Sequence, residues 1–163
     1  MRERRSSVKL DGSCHCGAVR FSLESRHPTP FNHCYCSICR KTAGSGGYAI
    51  NLSGDFESMK VEGAEHISKY RAVTDGHESP AERSFCSKCG SALWLWDPRW
   101  PELVHPQAGA IDTPLPAAPE RTHLMLSSKP DWVPLHAGPK DQCFEDYPEE
   151  SIEDWHKRLG LER

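Results

Sequence analysis

The sequence predicts a mainly β domain that is pinned by cysteine clusters and finished by one short C-terminal helix. Three observations carry this reading. Short apolar stretches alternate in the strand manner, turn-rich pieces separate them, and seven of the eight cysteines fall into three tight groups.

The elements follow in chain order. Val19, Phe21 and Leu23 share one strand face, and Tyr48, Ile50 and Leu52 share another. Later, Leu93-Trp94-Leu95-Trp96 and His123-Leu124-Met125-Leu126 read as further strands. Residues 26–30, 44–47, 74–81 and the proline-dense 112–120 are punctuation between strands rather than linkers. With no repeat and no composition break, residues 1–163 are expected to form a single domain with a core over about 10–135. The C-terminal piece differs. Pro148 can start a helix over about 148–159, with Glu149, Glu150, Glu153 and Asp154 suiting its positive end. His156, Lys157 and Arg158 suit its negative end, and Gly160 would stop it. Ile152, Trp155 and Leu159 share one face, so the helix is expected to dock on the sheet.

Composition excludes several function classes. The net charge is only -3 with both signs interspersed, so no basic footprint marks a nucleic-acid or anionic-membrane partner. Arg2, Arg4 and Arg5 are not followed by the apolar run that a signal peptide needs, and no segment is apolar enough to span a bilayer. A cytoplasmic location is expected. There thiols stay reduced, so clustered cysteines read as metal ligands rather than disulfides.

Cys86-Ser87-Lys88-Cys89-Gly90 has knuckle spacing: two intervening residues let both sulfurs face one zinc ion, and the glycine permits the turn. Cys14-His15-Cys16-Gly17 offers the second pair for a tetrahedral site. Four thiolates leave no place for substrate, so this zinc is read as structural, clamping a loop of about 70 residues. Cys34, Cys36 and Cys39 supply three sulfurs within six residues and no obvious fourth partner. Three protein ligands with an open position are the pattern of catalytic zinc. Thiolates donate charge to the metal, so its preferred fourth ligand is a soft sulfur, and capture of a substrate thiol is the expected chemistry. Other readings at this stage are that His33 or Cys143 fills the position, or that the cluster holds no metal.

Arg40 and the stretch after it, Gly46 and Gly47 included, are candidate anchors for the carboxylates of a peptide-like thiol. A plain surface loop is the competing reading. His15 and His33 adjoin ligands but read as packing, and so does Cys143, which stands apart from the clusters.

Taken together, these segments resemble the glutathione-dependent formaldehyde-activating enzymes and their centromere-protein-V-like relatives. The resemblance rests on Gly12-Ser13-Cys14-His15-Cys16-Gly17-Ala18-Val19-Arg20-Phe21, on His33-Cys34-Tyr35-Cys36-Ser37-Ile38-Cys39-Arg40-Lys41 with Gly44, and on Arg83-Ser84-Phe85-Cys86-Ser87-Lys88-Cys89-Gly90. Gly109-Ala110-Ile111-Asp112, His123 and Lys129-Pro130-Asp131-Trp132 extend it downstream, whereas residues 73–82 carry no matching signature. It implies a β-tent fold, a structural zinc on Cys14, Cys16, Cys86 and Cys89, and a catalytic zinc on Cys34, Cys36 and Cys39. It also implies an activity of carbon–sulfur lyase type, joining glutathione and formaldehyde into S-(hydroxymethyl)glutathione.

Two readings from different classes therefore stand. One is a lyase acting on a small thiol and an aldehyde. The other is a non-catalytic zinc-binding adaptor with a groove lined by Trp94, Trp96 and Trp100. A nucleic-acid reader ranks third for want of a basic patch.

Overall fold

The computed structural model describes residues 7–161. Arg2, Arg4 and Arg5 therefore lie outside the described residues. Among the described residues, thirteen strands and two short α-helices make up the regular structure, together with three 3-10 turns. The largest unit is a seven-stranded, wholly antiparallel sheet in the order β1-β2-β5-β11-β10-β9-β6. These strands are β1 (Val8–Ser13), β2 (Arg20–Ser25), β5 (Gly54–Glu62), β6 (Ile67–Tyr70), β9 (Glu82–Cys86), β10 (Ala92–Trp96) and β11 (Leu103–Pro106). A second, four-stranded sheet runs β13-β12-β3-β4, from β3 (Asn32–Cys34), β4 (Ala49–Asn51), β12 (Thr122–Leu124) and β13 (Gln142–Cys143).

The main core forms on the seven-stranded sheet from Leu10, Val19, Phe21, Leu23, Leu52, Leu93, Trp94 and Val104. Phe21 and Trp94 meet edge to face at 5.1 Å. Cys14 and Cys86 belong to this core, with 3% and 0% of their surface exposed. A second, smaller cluster joins Cys34, Cys39 and Ala49, with Leu124 and Met125 packed against it.

Several sequence expectations shift at the level of single elements. The β12 strand stops at Leu124, because Met125 adopts a left-handed conformation with φ 59° and a 3-10 turn follows. A continued strand would send Leu124 and Met125 to opposite faces, whereas the turn sets both against the smaller cluster. Residues 73–78, which overlap the stretch 74–81 read as punctuation, form a hairpin of β7 (Val73–Thr74) and β8 (His77–Glu78). Its two central residues, Asp75 and Gly76, have φ of 51° and 77°, the primed turn that matches strand twist.

The C-terminal helix is present but shorter than expected, running Ile152–Arg158 as α2. Ser151 caps it, its Oγ accepting from the Asp154 backbone N–H at 3.0 Å, so Pro148 to Glu150 precede the helix. Gly160, with φ 67°, follows the last turn. Trp155 is 3% exposed and donates its Nε1–H to Glu120 at 2.8 Å, while Arg158 bridges Glu120 and Glu150. Ile152 and Trp155 line a small cleft with Asn32, Thr122 and Gln142, at the leading ends of β3, β12 and β13. The helix thus docks on the four-stranded sheet.

Truncating that anchor should be expensive: Trp155→Ala is expected to cost about 3–5 kcal/mol through the lost side chain and its hydrogen bond to Glu120, which Arg158 alone would then hold. Urea denaturation of the variant checks this, and a change of under 1 kcal/mol would mean that the helix is a loosely held appendage.

Candidate metal centres

The first centre gathers Cys14, Cys16, Cys86 and Cys89, whose sulfurs all lie within 4.8 Å of one another. Two tight turns deliver them. After β1 the chain reverses through Gly17 at φ 77°, whose N–H bonds the Cys14 carbonyl, and the Val19 N–H points at Cys14 Sγ from 3.2 Å. After β9 an equivalent reversal uses Gly90 at φ 76°, whose N–H bonds the Cys86 carbonyl. The His15 N–H donates to Ser91 Oγ, which ties the first turn to the second. Cys14 and Cys86 are buried, whereas Cys16 and Cys89 are exposed.

The environment favours a thiolate at Cys14 and Cys89, whereas Cys16, despite the Ala18 N–H, is raised to about 11 by the neighbouring thiols and by burial. Burial opposes ionisation of Cys14, but the Val19 N–H and the neighbouring thiols outweigh it and hold its pKa down. Ser91, with its hydroxyl 3.1 Å from Cys89 Sγ, lowers Cys89 to about 5. Four such sulfurs, closed by two turns about 70 residues apart, fit a soft cation in tetrahedral geometry.

The second centre holds Cys34, Cys36 and Cys39, again with all sulfurs within 4.8 Å. Cys34 ends β3, and Cys36 is the N-cap of α1 (Ser37–Ala43), its Sγ accepting from the Cys39 N–H at 3.3 Å. This helix was not foreseen in the sequence. Three positions of spacing carry Cys39 back under Cys36, and the helix start supplies N–H donors to sulfur. Cys36 is held well down by hydrogen bonds from the Cys34 and Cys39 thiols, and Cys34 is pushed far up by its contacts with Cys36 and Cys39 and by burial. Cys36 is half-buried and the other two are buried. Their packed sulfurs fit a soft cation as well, with three protein donors in place of four.

Other candidates fall elsewhere. Neighbouring residues on a strand point to opposite faces, so His33 lies on the far side of β3 from Cys34, stacked on Tyr48 at 4.7 Å. Cys143 pairs in register with His123, itself opposite His33, and so sits on that same far face. Contrary to the packing expectation, Cys143 is exposed, as the end of the edge strand β13. His15 is exposed too. Arg40 donates to the Ser128 carbonyl at 3.2 Å. Gly47 spends its N–H on the Gly44 carbonyl and is buried against Val133, leaving Gly46 as the exposed glycine.

The sequence reading missed two features. Arg83, on β9, reaches across to Cys39 and places Nη1 3.6 Å from its sulfur. Behind the second centre lies a buried relay in which the Tyr35 hydroxyl meets His123 Nδ1 at 3.3 Å and His123 Nε2 meets Asp141 at 2.9 Å. Asp141 also receives the Arg121 guanidinium and the N–H groups of Arg121 and Gly138. Burial alone would raise the Asp141 carboxyl, but His123 and these donors hold it well below the usual carboxylate range. Tyr35 stands between two candidate ligands, so the relay fixes the backbone that spaces them. Burial lowers His33 to about 4, and its Nδ1 has no hydrogen-bond partner among the described residues. No local motif announces Asp141; only the fold brings it to His123.

Comparison with known proteins agrees with this geometry. The family described as "Glutathione-dependent formaldehyde-activating enzyme" matches residues 9–128, which include all seven clustered cysteines. The chain belongs to the glutathione-dependent formaldehyde-activating enzyme family. A Halomonas elongata protein named "Putative glutathione-dependent formaldehyde-activating enzyme" is 67% identical over 153 residues, covering 94% of this chain and 98% of its own. The crystal structure of a Rhodobacter sphaeroides protein superposes with a TM-score of 0.53 at 28% identity, covering 67% of this chain and 92% of that one.

The two centres should respond differently to serine. Cys86→Ser or Cys89→Ser is expected to cost several kcal/mol and to prevent soluble expression, whereas Cys36→Ser should leave the fold intact and remove one metal ion. Elemental analysis and thermal melts check this; equal collapse in both sets would make the second centre structural as well.

Asp141→Asn tests the relay. Because the Asp141 carboxyl is lowered in the folded state, its stabilisation is complete above the ordinary carboxylate value of about 4 and is lost as the pH falls further. The variant should be about 2 kcal/mol less stable at pH 7, with the deficit shrinking below about pH 4. Urea melts across that range decide it, and an unchanging deficit would remove the ionised carboxylate from the argument.

Proposed function

We propose that this protein is a zinc-dependent enzyme of carbon–sulfur lyase type that joins glutathione and formaldehyde into S-(hydroxymethyl)glutathione. The observation that carries the reading is the contrast between the two centres: one gathers four sulfurs, the other three, with no fourth ligand among the described residues. A closed tetrahedron is a structural device, and three donors leave a place for substrate. Cys14, Cys16, Cys86 and Cys89 hold the structural zinc in this reading, and Cys34, Cys36 and Cys39 the catalytic one. The family match supports the substrate pair.

Held by Cys34, Cys36 and Cys39, a zinc ion would supply soft Lewis acidity that lowers the pKa of an incoming thiol. The protein's own groups do the rest. The Cys39 N–H on Cys36 and the Arg83 guanidinium on Cys39 stabilise negative charge on the three ligands. The Tyr35–His123–Asp141 relay keeps Cys34 and Cys36 at fixed spacing. In the reaction the thiol gives up its proton, its sulfur forms a bond to the aldehyde carbon, and the carbonyl oxygen takes a proton, which water can supply. Arg40 and Gly46, on and just after α1, enter the proposal only as secondary contacts.

No helix among the described residues is long and apolar enough to cross a membrane. Seven clustered thiols keep their ligand role only where they stay reduced, so a cytoplasmic location forms part of the proposal. The adaptor alternative relied on a groove shared by three tryptophans, and the structure gives each a separate setting. Trp94 is buried against Phe21, Trp96 is half-buried against Phe56, and Trp100 is 52% exposed beneath Arg99.

Glutathione should bind the zinc-loaded protein with release of about one proton per thiol, and more weakly after Cys36→Ser. Calorimetry in two buffers of different ionisation enthalpy counts the proton. Formaldehyde exchange followed by NMR then reports whether the adduct forms faster than in buffer. Absence of thiol binding to fully loaded protein would sink the enzyme reading.

A further inference from the structure

A cavity of about 310 Å³ opens between the last turn of α1 and strands β6, β9 and β10 of the seven-stranded sheet. Its walls include Thr42 and Ala43 from the last turn of α1, Tyr70 of β6, Arg83 of β9, Trp94 of β10, and Gln107. The volume falls within the range of small-molecule sites, which are mostly apolar with a few placed polar groups. Arg83 is the one charged side chain on this wall. It is also the group that touches Cys39, with Nη1 3.6 Å from the sulfur. One residue therefore borders both the cavity and the thiolate cluster.

Arg83 has charge to spare. Its chain neighbour Glu82 is taken by Lys69 and Arg71, at 3.1 and 2.8 Å, and no carboxylate among the described residues pairs with Arg83. A guanidinium carries five N–H donors in a planar fork, and one contact to a sulfur leaves most of them unused. Such a fork matches a carboxylate in bidentate geometry, and in an apolar cavity the attraction is only weakly screened.

We infer that this cavity is the chamber for the organic part of a carboxylate-bearing, peptide-like thiol, with Arg83 as the residue that selects for its carboxylate. The inference rests on the thiol-binding reading above and deepens it by naming the chamber and the selecting group. The sulfur goes to the three-cysteine centre, the carboxylate goes to the free side of the Arg83 fork, and the backbone of the ligand lies along Trp94 and Tyr70. Tyr70 is 46% exposed, which leaves the chamber an entrance to solvent. The anchor is therefore assigned to the sheet wall that faces α1 rather than to the glycine stretch after it.

The test compares glutathione with its diethyl ester by calorimetry on zinc-loaded protein. The wild type should bind the acid at least about tenfold more tightly than the ester, the scale of one charge-assisted pair. Arg83→Gln should bring that ratio close to one with metal content unchanged, and Arg83→Lys, which keeps the charge without the fork, should fall between. Ala92→Leu, which fills the chamber wall away from the three-cysteine centre, should weaken glutathione at least about fivefold and leave 2-mercaptoethanol unchanged. Equal binding of acid and ester by the wild type would overturn the inference while leaving the thiol reading in place. So would an acid preference that survives Arg83→Gln. If Arg83→Gln loses metal, the Lys and Leu variants decide: wild-type ratios in both overturn the inference, and the expected shifts support it. Failure of either thiol form to bind the loaded wild type would overturn the inference and the functional reading together.

Discussion

Sulfur convergence is the constraint on which the rest of the structure depends. Cys14 and Cys16 arrive at the end of β1, Cys86 and Cys89 at the end of β9, about 70 residues later, and their sulfurs must meet within 4.8 Å. The core is modest for the length of chain, and a metal cross-link at these four sulfurs would replace stabilisation that apolar burial must otherwise supply. Cys14 and Cys86 are themselves members of the main core, so such a clamp would hold the same strands that the hydrophobic packing holds. The glycines at φ 77° and 76° are needed because both turns reverse the chain tightly enough to aim N–H groups at the cysteines.

The second centre is built on different principles. Its three sulfurs come from one short stretch, so convergence there is local and closes no long loop. What it needs instead is stiffness in the strand that carries it, since Cys34 and Cys36 flank a tyrosine pointing to the opposite face. The relay through His123 to Asp141 provides that stiffness from behind the sheet, and the parallel pairing of β3 with β12 sets His123 directly beside His33. Front and back of this four-stranded sheet thus divide the labour. The clustered sulfurs and small apolar groups occupy one face, and aromatic and charged groups, with Cys143 at the edge, occupy the other.

Legibility in the sequence varied with how local each signal is. Knuckle spacing is a local pattern, and so are the alternations around Phe21 and along β10; all of these correspond to observed elements. The nine-residue β5 went unread because only Gly54 is buried and no apolar alternation marks it, although it pairs with β2 on one side and β11 on the other. The α1 helix was hidden for another reason. Its cap is a cysteine, a residue that reads first as a ligand, and its seven residues are too few for a periodic apolar face. The C-terminal helix was visible in its charges and its Trp155 face, but a serine cap moved its start beyond Pro148.

By itself the sequence determined which cysteines group together, because knuckle-type spacing and turn glycines are written within a few consecutive positions. It also determined the β class and the presence of a terminal helix. Only the tertiary structure decided which groups surround those ligands. Arg83 and Cys39 are 44 residues apart in the chain, and His123 and Asp141 are 18 apart. Contacts across such separations depend on strand order and register, which pairwise hydrogen bonding between distant segments sets and no local pattern records. The same holds for which face of β3 each side chain takes. Strand alternation makes the choice binary, and burial of one face against α1 makes it final.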